Sequence, residues 1–254
     1  MEFLKTEGLT KAFKGLIAVN DLDMEVIQGE ILGLVGPNGS GKSTAINVIT
    51  GFFSPTKGKV IYKGESISGL QPHEIAKRGI IRTFQHTSLF TNLTVEQNII
   101  SGMHLGLVNN ALSSFFLTNR YRSEETKVTQ AVNEILVFTN MQEKSNVVAQ
   151  SLPGAEQRVL EIAIALAGKP KLLLLDEPAA GMNLQEATRL IELIRAIRQS
   201  GTTIMLVEHN MKVVVEVCSR IIVLDYGAKI AEGTPEEIAN NQDVISIYLG
   251  KRKR

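Results

Sequence analysis

The chain has 254 residues, with 27 basic side chains against 26 acidic ones and a formal net charge of +1. This near-neutral balance argues against a protein that attracts nucleic acid through its overall charge. The length allows one or two domains with a sizeable core. The single cysteine, Cys218, excludes a disulfide framework within the chain and is typical of a reducing compartment. We interpret Cys218 as a small buried hydrophobic residue.

The two ends of the chain bear on its location. The first residues, MEFLKTEGLTKAF, include acids and lack the apolar segment of a secretory signal. No apolar run approaches the roughly 20 residues that span a bilayer. The sequence therefore predicts a cytoplasmic chain, which can still lie against a membrane. The terminal KRKR is typical of a solvated tail, with contact to lipid headgroups as the alternative.

Residues 2–30 alternate apolar and polar side chains in places, most clearly over 21–26. This period of two predicts half-buried antiparallel strands. Phe13 falls within the predicted sheet. Two interpretations stay open for its ring, namely packing in the core and a face on which an adenine ring stacks.

Residues 31–44 read ILGLVGPNGSGKST. The segment predicts a buried strand, a glycine-rich turn and the start of a helix, which is the context that the Walker A pattern G-x-x-x-x-G-K-[ST] requires. Glycines let backbone N–H groups close around a phosphate, and the helix start adds positive potential. Lys42 is expected at the β/γ-phosphates and Ser43 on Mg²⁺. The predicted nucleotide-binding residues are Gly36, Pro37, Asn38, Gly39, Ser40, Gly41, Lys42, Ser43 and Thr44.

The sequence after the Walker A segment predicts a further strand of the sheet and then a mostly helical region. A strand over 79–84 is followed by Gln85, which would lie at the sheet edge where ligands bind in open α/β folds. A surface amide is the alternative interpretation of Gln85. Residues 86–150 contain helical segments, including an amphipathic one at 123–138, and predict an inserted helical subdomain. The apolar, irregular stretch 101–121 within it indicates either ordinary packing or a docking surface for a partner.

Within the predicted strand 171–176, Lys171 is followed by four leucines at 172–175 and then by a pair of acids, Asp176 and Glu177. Such a run predicts a parallel strand that is buried on both faces. At its carboxyl end Asp176 can reach a Mg²⁺ held by Ser43 and the phosphates. Glu177 is then placed to polarise an attacking water. This Walker B pattern, together with the Walker A segment, predicts a nucleotide hydrolase.

The last third of the chain repeats the alternation of helix and strand. Asn183 is the predicted N-cap of an amphipathic helix over 184–199. A strand over 202–207 precedes His209, which we interpret as a phosphate or water contact, with a structural histidine as the alternative. Further predicted elements are a helix at 159–166, a helix at 211–217, a hairpin at 221–231 that turns at Tyr226-Gly227, and helices at 235–240 and 243–249.

Taken together, these motifs resemble the ATP-binding subunit of an ABC transporter over essentially the whole chain. The matching parts are the Walker A and B segments, a Q-loop glutamine at Gln85, a switch histidine at His209 and an A-loop aromatic at Phe13. The resemblance implies an α/β fold with a RecA-like P-loop core, an antiparallel β-subdomain and an inserted helical subdomain. It implies a single domain over 1–254, in which 1–85 and 160–254 form the core with its β-subdomain and 86–159 the helical subdomain.

The same resemblance implies a division of roles among the site residues. ATP and Mg²⁺ are the expected cofactors, and Ser43, Gln85 and Asp176 are the expected ligands of the metal. Glu177, His209 and Gln85 are the expected catalytic residues. Two subunits would face each other head to tail, with each ATP held by one Walker A loop and by the signature loop of the other subunit.

The signature loop departs from the family pattern L-S-G-G-Q. Its place is taken by Leu152, Pro153, Gly154, Ala155 and Glu156. Pro153 lacks the serine hydroxyl that would donate to the γ-phosphate, a hydrogen bond to a charged group of about 1.5–3 kcal/mol. Glu156 brings an anion where an amide is usual. We therefore expect a weak trans site from this loop, beside a complete Walker A site.

Finer features resemble the ATPases of branched-chain amino acid importers. They are the segments 82–86, 177–183, 207–211 and 241–250, together with the long stretch after Gln97. The resemblance implies transmembrane permease subunits, a second ABC ATPase subunit and, indirectly, a solute-binding protein as partners at the cytoplasmic face of the cell membrane, and no nucleic acid. The alternatives are a soluble ABC-type ATPase acting on nucleic acid or the ribosome, the ATPase of another ABC transporter for lipid or lipopolysaccharide, and a non-catalytic binding subunit.

Overall fold

The computed structural model describes residues 2–83, 89–103 and 119–248. The chain divides into two compact units, the first formed by 1–82 with 171–254 and the second by 83–170. The sequence placed these boundaries after 85 and after 159. Both boundaries of the compact units differ from these: the first comes after 82, and the second comes after 170 because a helix over Gly154–Ala167 belongs as a whole to the second unit.

The described strands all belong to the first unit and form two sheets. They are β1 (Glu2–Phe13), β2 (Leu16–Ile27), β3 (Ile31–Val35), β4 (Lys57–Tyr62), β5 (Glu65–Ser66), β6 (Ile80–Arg82), β7 (Leu172–Asp176), β8 (Thr203–Val207), β9 (Arg220–Asp225) and β10 (Ala228–Gly233). One sheet has the antiparallel order β2-β1-β4-β5, and the other has the order β10-β9-β3-β8-β7-β6. The predicted α/β fold with an antiparallel β-subdomain is thus confirmed.

The described helices connect these strands and build the second unit. They are α1 (Lys42–Ile49), α2 (Pro72–Lys77), α3 (Val95–Gly102), α4 (Asn119–Phe138), α5 (Gly154–Ala167), α6 (Leu184–Gln199), α7 (Met211–Val217), α8 (Pro235–Asn240) and α9 (Gln242–Tyr248). The bounds predicted for α6, α7 and α8 are confirmed. None of the helices in the described ranges is long and apolar enough to cross a bilayer.

The six-stranded sheet sets up the site because its strands β3, β6, β7, β8 and β9 run parallel. Every residue of β3, β7 and β8 is buried, as their continuous apolar sequences predict. In the register, Val207 lies opposite Leu34 on one side and Asp176 on the other. The segments that follow β3, β7 and β8 therefore leave the sheet at one common edge.

Helix α1 is anchored in the core between the two sheets of the first unit. Its buried Ile46 and Ile49 belong to one apolar cluster with Leu22 of β2 and Leu34 of β3. The helix ends near Thr50, and Gly51 follows with a left-handed φ of +78°, where glycine is favoured. This packing fixes the start of α1 relative to the edge of the parallel sheet.

The second unit packs α3, α4 and α5 around a separate apolar core. Helix α5 begins five residues before the predicted helix at 159–166, because the Pro153 carbonyl accepts hydrogen bonds from the N–H groups of Glu156 and Gln157 at 2.9 and 3.0 Å. Buried Asn98 ties the preceding loop to α3 by accepting from the Phe90 N–H at 2.9 Å. Most of the stretch 101–121 lies outside the described residues.

Candidate nucleotide site

The glycine-rich loop after β3 passes close to other backbone segments. A Cβ on Gly36 would lie 2.2 Å from the Leu224 carbonyl oxygen, and one on Gly41 would lie 2.3 Å from that of Ala18. Both glycines also have positive φ, at +151° and +103°. Only glycine fits at these two positions, as the motif requires.

The loop is tied to the β9–β10 hairpin by backbone hydrogen bonds. The Gly227 N–H donates to the Ser40 carbonyl at 2.9 Å, and the Gly227 carbonyl accepts from the Asn20 N–H at 2.9 Å. The predicted turn at Tyr226-Gly227 is confirmed. Three segments that are distant in sequence thus hold the loop in one shape.

Lys42 is almost fully buried, with 5% of its surface exposed. Its Nζ donates to the carbonyl oxygens of Gly36 and Pro37 at 2.8 and 3.0 Å. Burial lowers the pKa of Lys42, while the negative charges of Glu177 and Asp176 act in the opposite direction. The ammonium group therefore lies within electrostatic range of the predicted metal ligand Asp176 and of the predicted catalytic residue Glu177.

Asp176 ends β7 with only 1% of its surface exposed. Its Oδ2 accepts a 2.7 Å hydrogen bond from Nη2 of Arg82, the last residue of β6. The Nη1 of the same guanidinium donates to Asn47 Oδ1 in α1 at 2.5 Å. Arg82 was not predicted as a site residue, although an arginine inside a predicted strand was a usable signal.

Glu177 and His209 come together across the edge of the sheet. The Glu177 N–H donates to the Val207 carbonyl at 2.8 Å, and its φ of +49° lies in the left-handed region. Such strain in a non-glycine residue is typical of functional sites. His209 Nδ1 lies 3.8 Å from Glu177 Oε1, with 55% of the histidine side chain and 16% of the glutamate side chain exposed. The two side chains therefore lie close together, and neither is completely buried.

Glu208 is a second residue that sequence reasoning missed. It is fully buried and accepts three backbone N–H groups, from Ala179 at 2.7 Å and from His209 and Asn210 at 3.1 Å each. Burial raises the pKa of Glu208, and these hydrogen bonds oppose the rise. The signal was an acid directly after a buried strand, the same pattern that singled out Asp176.

Phe13 does not belong to the core, since 38% of its surface is exposed. Its ring meets Phe53 edge-on, with the centroids 5.2 Å apart, and Lys11 Nζ lies 5.0 Å from its centroid. The core-packing interpretation is therefore wrong. The interpretation as a stacking face stays a prediction.

The signature loop lies in the second unit, at the start of α5. Gly154 is the first residue of the helix and Pro153 its N-cap. The carboxylate of Glu156 forms an ion pair with the ammonium of Lys144. The negative charge that Glu156 brings to a position where an amide is usual is thus compensated within the same unit.

Gln85 lies outside the described residues, as does the KRKR tail. The catalytic and metal-binding roles assigned to Gln85 therefore stay predictions.

The donor set at the sheet edge fits magnesium rather than a softer metal. Ser43 is exposed on the first turn of α1, and Asp176 offers a carboxylate at the end of β7. Both are hard oxygen ligands, and magnesium in nucleotide sites usually takes one or two protein carboxylates beside phosphates and waters. In the described ranges, no group of three or more His, Cys, Asp or Glu side chains could hold a metal by itself.

A P-loop at the edge of a parallel sheet, with acids at the end of the neighbouring strands, defines a P-loop nucleotide-binding protein. The sequence model of the ABC transporter family matches residues 19–180. A second model, for branched-chain amino acid ATP-binding cassette transporters, matches residues 228–253. The chain belongs to the ABC transporter family and is an ATPase.

Named relatives and solved structures agree with this assignment. The high-affinity branched-chain amino acid transport ATP-binding proteins BraF of Pseudomonas aeruginosa and LivG of Escherichia coli are each 41% identical over 98% of both chains. The lipopolysaccharide export ATP-binding protein LptB of Haemophilus influenzae is 34% identical over 99% of both chains. A nucleotide-free ATP-binding cassette from an ABC transporter has a TM-score of 0.86 at 33% identity, covering 99% of this chain and 100% of that one.

Proposed function

We propose that this chain is the ATP-binding and hydrolysing subunit of an ABC importer for branched-chain or hydrophobic amino acids. The match of residues 228–253 to the branched-chain amino acid transporter model is the main support. The 41% identity with BraF and LivG points the same way, against 34% for LptB. A lipopolysaccharide exporter is therefore the weaker alternative.

In this function the P-loop residues Gly36 to Thr44 hold the β- and γ-phosphates. The N–H groups of the loop and the start of α1 face the anion, and Lys42 adds a full positive charge. Phe13, partly exposed beside Phe53, offers its free surface to the adenine ring. The close backbone contacts at Gly36 and Gly41 keep this cradle preformed, which lowers the entropic cost of binding.

Hydrolysis requires a water in line with the γ-phosphate and a group that accepts its proton. Glu177 is the proposed base because its carboxylate is accessible at the sheet edge. His209, 3.8 Å from that carboxylate, would orient the water or the γ-phosphate. Glu208 supports both residues by holding the backbone that follows β7 and β8.

Ser43, Asp176 and Gln85 are the residues that would hold Mg²⁺. When bound, the ion neutralises charge that develops on the phosphate oxygens. Asp176 is suited to this role because it is buried at the end of β7 and already oriented by Arg82.

The proposed transport cycle depends on other subunits. ATP closes a dimer in which the signature loop of a second ABC ATPase completes the site of this chain. Transmembrane permease subunits would receive the motion at the cytoplasmic face of the membrane, and a solute-binding protein would deliver the amino acid. The altered loop Leu152–Glu156 is the reason to propose an unlike second ATPase.

The test starts from the complex that this chain forms in its native membrane. Permease subunits and any second ATPase that copurify with it are identified by mass, and the complex is placed in liposomes with its solute-binding protein. We expect ATP-dependent uptake of leucine, isoleucine or valine, and none with Glu177→Gln. A complex that hydrolyses ATP but moves none of these amino acids would contradict the proposed substrate class.

A further inference from the structure

Arg82 joins the two elements that carry the proposed magnesium ligands. Its Nη2 donates to Asp176 Oδ2 at 2.7 Å, and its Nη1 donates to Asn47 Oδ1 at 2.5 Å. Asn47 lies four residues after Ser43 on α1, so the two side chains share one face of the helix. One guanidinium therefore contacts the Walker B carboxylate and the helix face that presents Ser43.

The ion pair between Arg82 and Asp176 lies at the sheet edge that carries the proposed magnesium ligands, which distinguishes it from an ion pair that only stabilises the fold. Its side chains are 9% and 1% exposed, so neither charge is well screened by water. A buried ion pair is weak support for stability, because desolvation offsets the attraction. A comparable guanidinium, that of Arg220, pairs with Glu30 and Glu232 at the start of β9, which is the opposite edge of the sheet from the P-loop.

The charges around Asp176 determine how strongly a further cation is attracted. Lys42 and Arg82 are positive, while Asp176 and Glu177 are negative, so the four formal charges sum to zero. A divalent cation that approaches Asp176 must share the carboxylate with Arg82 and is repelled by the guanidinium. A pair formed through Oδ2 does not prevent ligation through the other carboxylate oxygen, because a carboxylate accepts at both oxygens.

We propose that Arg82 is a positioning residue that acts through Asp176 and limits how tightly this carboxylate binds magnesium. This inference rests on the proposed function, since it takes Asp176 as a magnesium ligand. A metal site of limited affinity lets Mg²⁺ leave with the product nucleotide. Arg82 thereby favours turnover over retention of the magnesium nucleotide.

The test measures magnesium dependence without relying on activity. A fluorescent ATP analogue is bound to the full chain, and Mg²⁺ is titrated from a chelated start to find the concentration for half-maximal binding. We expect Arg82→Gln to lower that concentration by about three- to tenfold, because it removes a positive charge beside Asp176. Arg82→Lys keeps the charge and should stay near the wild type. Arg78→Gln is the matched control, since Arg78 is exposed and its guanidinium donates to the Glu74 carbonyl of its own helix.

Thermal unfolding supplies a second readout. In chelator, Arg82→Gln should melt several degrees below the wild type, because it removes the guanidinium that is paired with the buried Asp176 carboxylate. Mg²⁺ with the nucleotide should then raise its melting temperature by more than it raises that of the wild type. Arg82→Met, which fills the same space without a charge, replaces Arg82→Gln should the latter not fold.

The outcomes separate this inference from the proposed function. An unchanged or higher half-maximal Mg²⁺ concentration in the uncharged variants would overturn the role of Arg82. Two other results would instead overturn the proposed magnesium site itself. One is nucleotide binding by the wild type that does not depend on Mg²⁺, and the other is an unchanged Mg²⁺ dependence in Asp176→Ala.

Discussion

At the scale of single residues, the site depends on acids whose surroundings differ sharply. Asp176 is buried and paired with Arg82, whereas Glu177 is partly exposed and stands in a left-handed backbone conformation. Glu208 is fully buried and holds three N–H groups. The three carboxylates thus suit three tasks, namely orienting a cation, accepting a proton and bracing the backbone.

Replacing Glu177 by glutamine tests the proposed base. We expect Glu177→Gln to lower the ATPase rate of the assembled complex at least about 100-fold, since general base catalysis contributes 10²–10⁴-fold. Nucleotide binding should persist because the side chain keeps its shape. Steady-state phosphate release measures the rate. Glu192→Gln, an exposed substitution of the same kind on α6, should have no effect. Retention of the wild-type rate in Glu177→Gln would show that another group accepts the proton.

Glu208 predicts a specific dependence of stability on pH. Its pKa is raised above the ordinary 4.5 by burial, so the folded chain binds this proton more tightly than the unfolded chain does. Its stabilising contribution is therefore complete below that ordinary value and is lost as the pH rises through the raised pKa. Glu208→Gln should be destabilising, by about 1–3 kcal/mol for each backbone N–H left unpaired. The loss of unfolding free energy caused by Glu208→Gln should shrink as the pH rises above the ordinary pKa of 4.5, because the wild type then loses its own contribution from Glu208.

Urea unfolding of the wild type and of Glu208→Gln at a series of pH values gives the two free energies of unfolding. A difference in unfolding free energy between the wild type and Glu208→Gln that stays constant or grows with pH would contradict the raised pKa of Glu208. Glu192→Gln again serves as the control, because the Glu192 side chain is exposed whereas that of Glu208 is buried.

At the scale of elements, the start of α5 carries the largest departure from the family pattern. Pro153 caps the helix through its carbonyl but offers no side-chain donor. Glu156 is compensated by Lys144, so we expect its charge to weaken binding in trans less than the sequence alone indicated. The missing serine hydroxyl is the principal defect that we propose for this loop.

Rebuilding this loop tests whether it limits the complex. Pro153→Ser, Ala155→Gly and Glu156→Gln together should raise the ATPase rate of the assembled complex. Pro153→Ser should give most of the gain, because a hydrogen bond to a charged phosphate contributes about 1.5–3 kcal/mol. Glu156→Gln alone should change the rate little, since Lys144 already balances that charge. The absence of any gain in the triple variant would mean that the loop is not limiting.

At the scale of the whole molecule, the two units have separate apolar cores. The core of the first unit contains side chains from both sheets and from α1. The P-loop and the sheet edge that carries the acids are therefore supported by the same core. Cys218 lies within this unit, at the end of α7, where Gly33 of β3 leaves room for its sulfur: a Cβ on Gly33 would lie 3.0 Å away. The interpretation of Cys218 as a buried hydrophobic residue is confirmed.

Cys218 therefore reports on unfolding of the first unit. Burial raises the pKa of its thiol to about 12, so the reactive thiolate is scarce in the folded chain at about pH 8. We expect slow alkylation by iodoacetamide in buffer and rapid alkylation in concentrated urea. Mass spectrometry of timed samples measures both rates. Labelling of the folded chain at the rate of a free cysteine would contradict this burial.

The sequence by itself determined the elements that depend on local patterns. The P-loop, the bounds of α6, α7 and α8, and the buried strands β7 and β8 follow from spacing, caps and apolar runs. The signals for each element lie within about ten residues of one another, so they can be recognised in the sequence without knowledge of the tertiary structure. Because parallel strands end at one edge of a sheet, the sequence also indicated that Asp176 and His209 would lie near the P-loop.

Only the tertiary structure decided which charges meet. Arg82 and Asp176 are 94 residues apart in the chain, and Glu208 lies 29 residues from Ala179. The exposure of Phe13 and the pairing of Lys144 with Glu156 were likewise fixed by packing. The physical reason is that burial and electrostatic partners are set by strand order and register, and no local pattern records which side chain stands across the sheet.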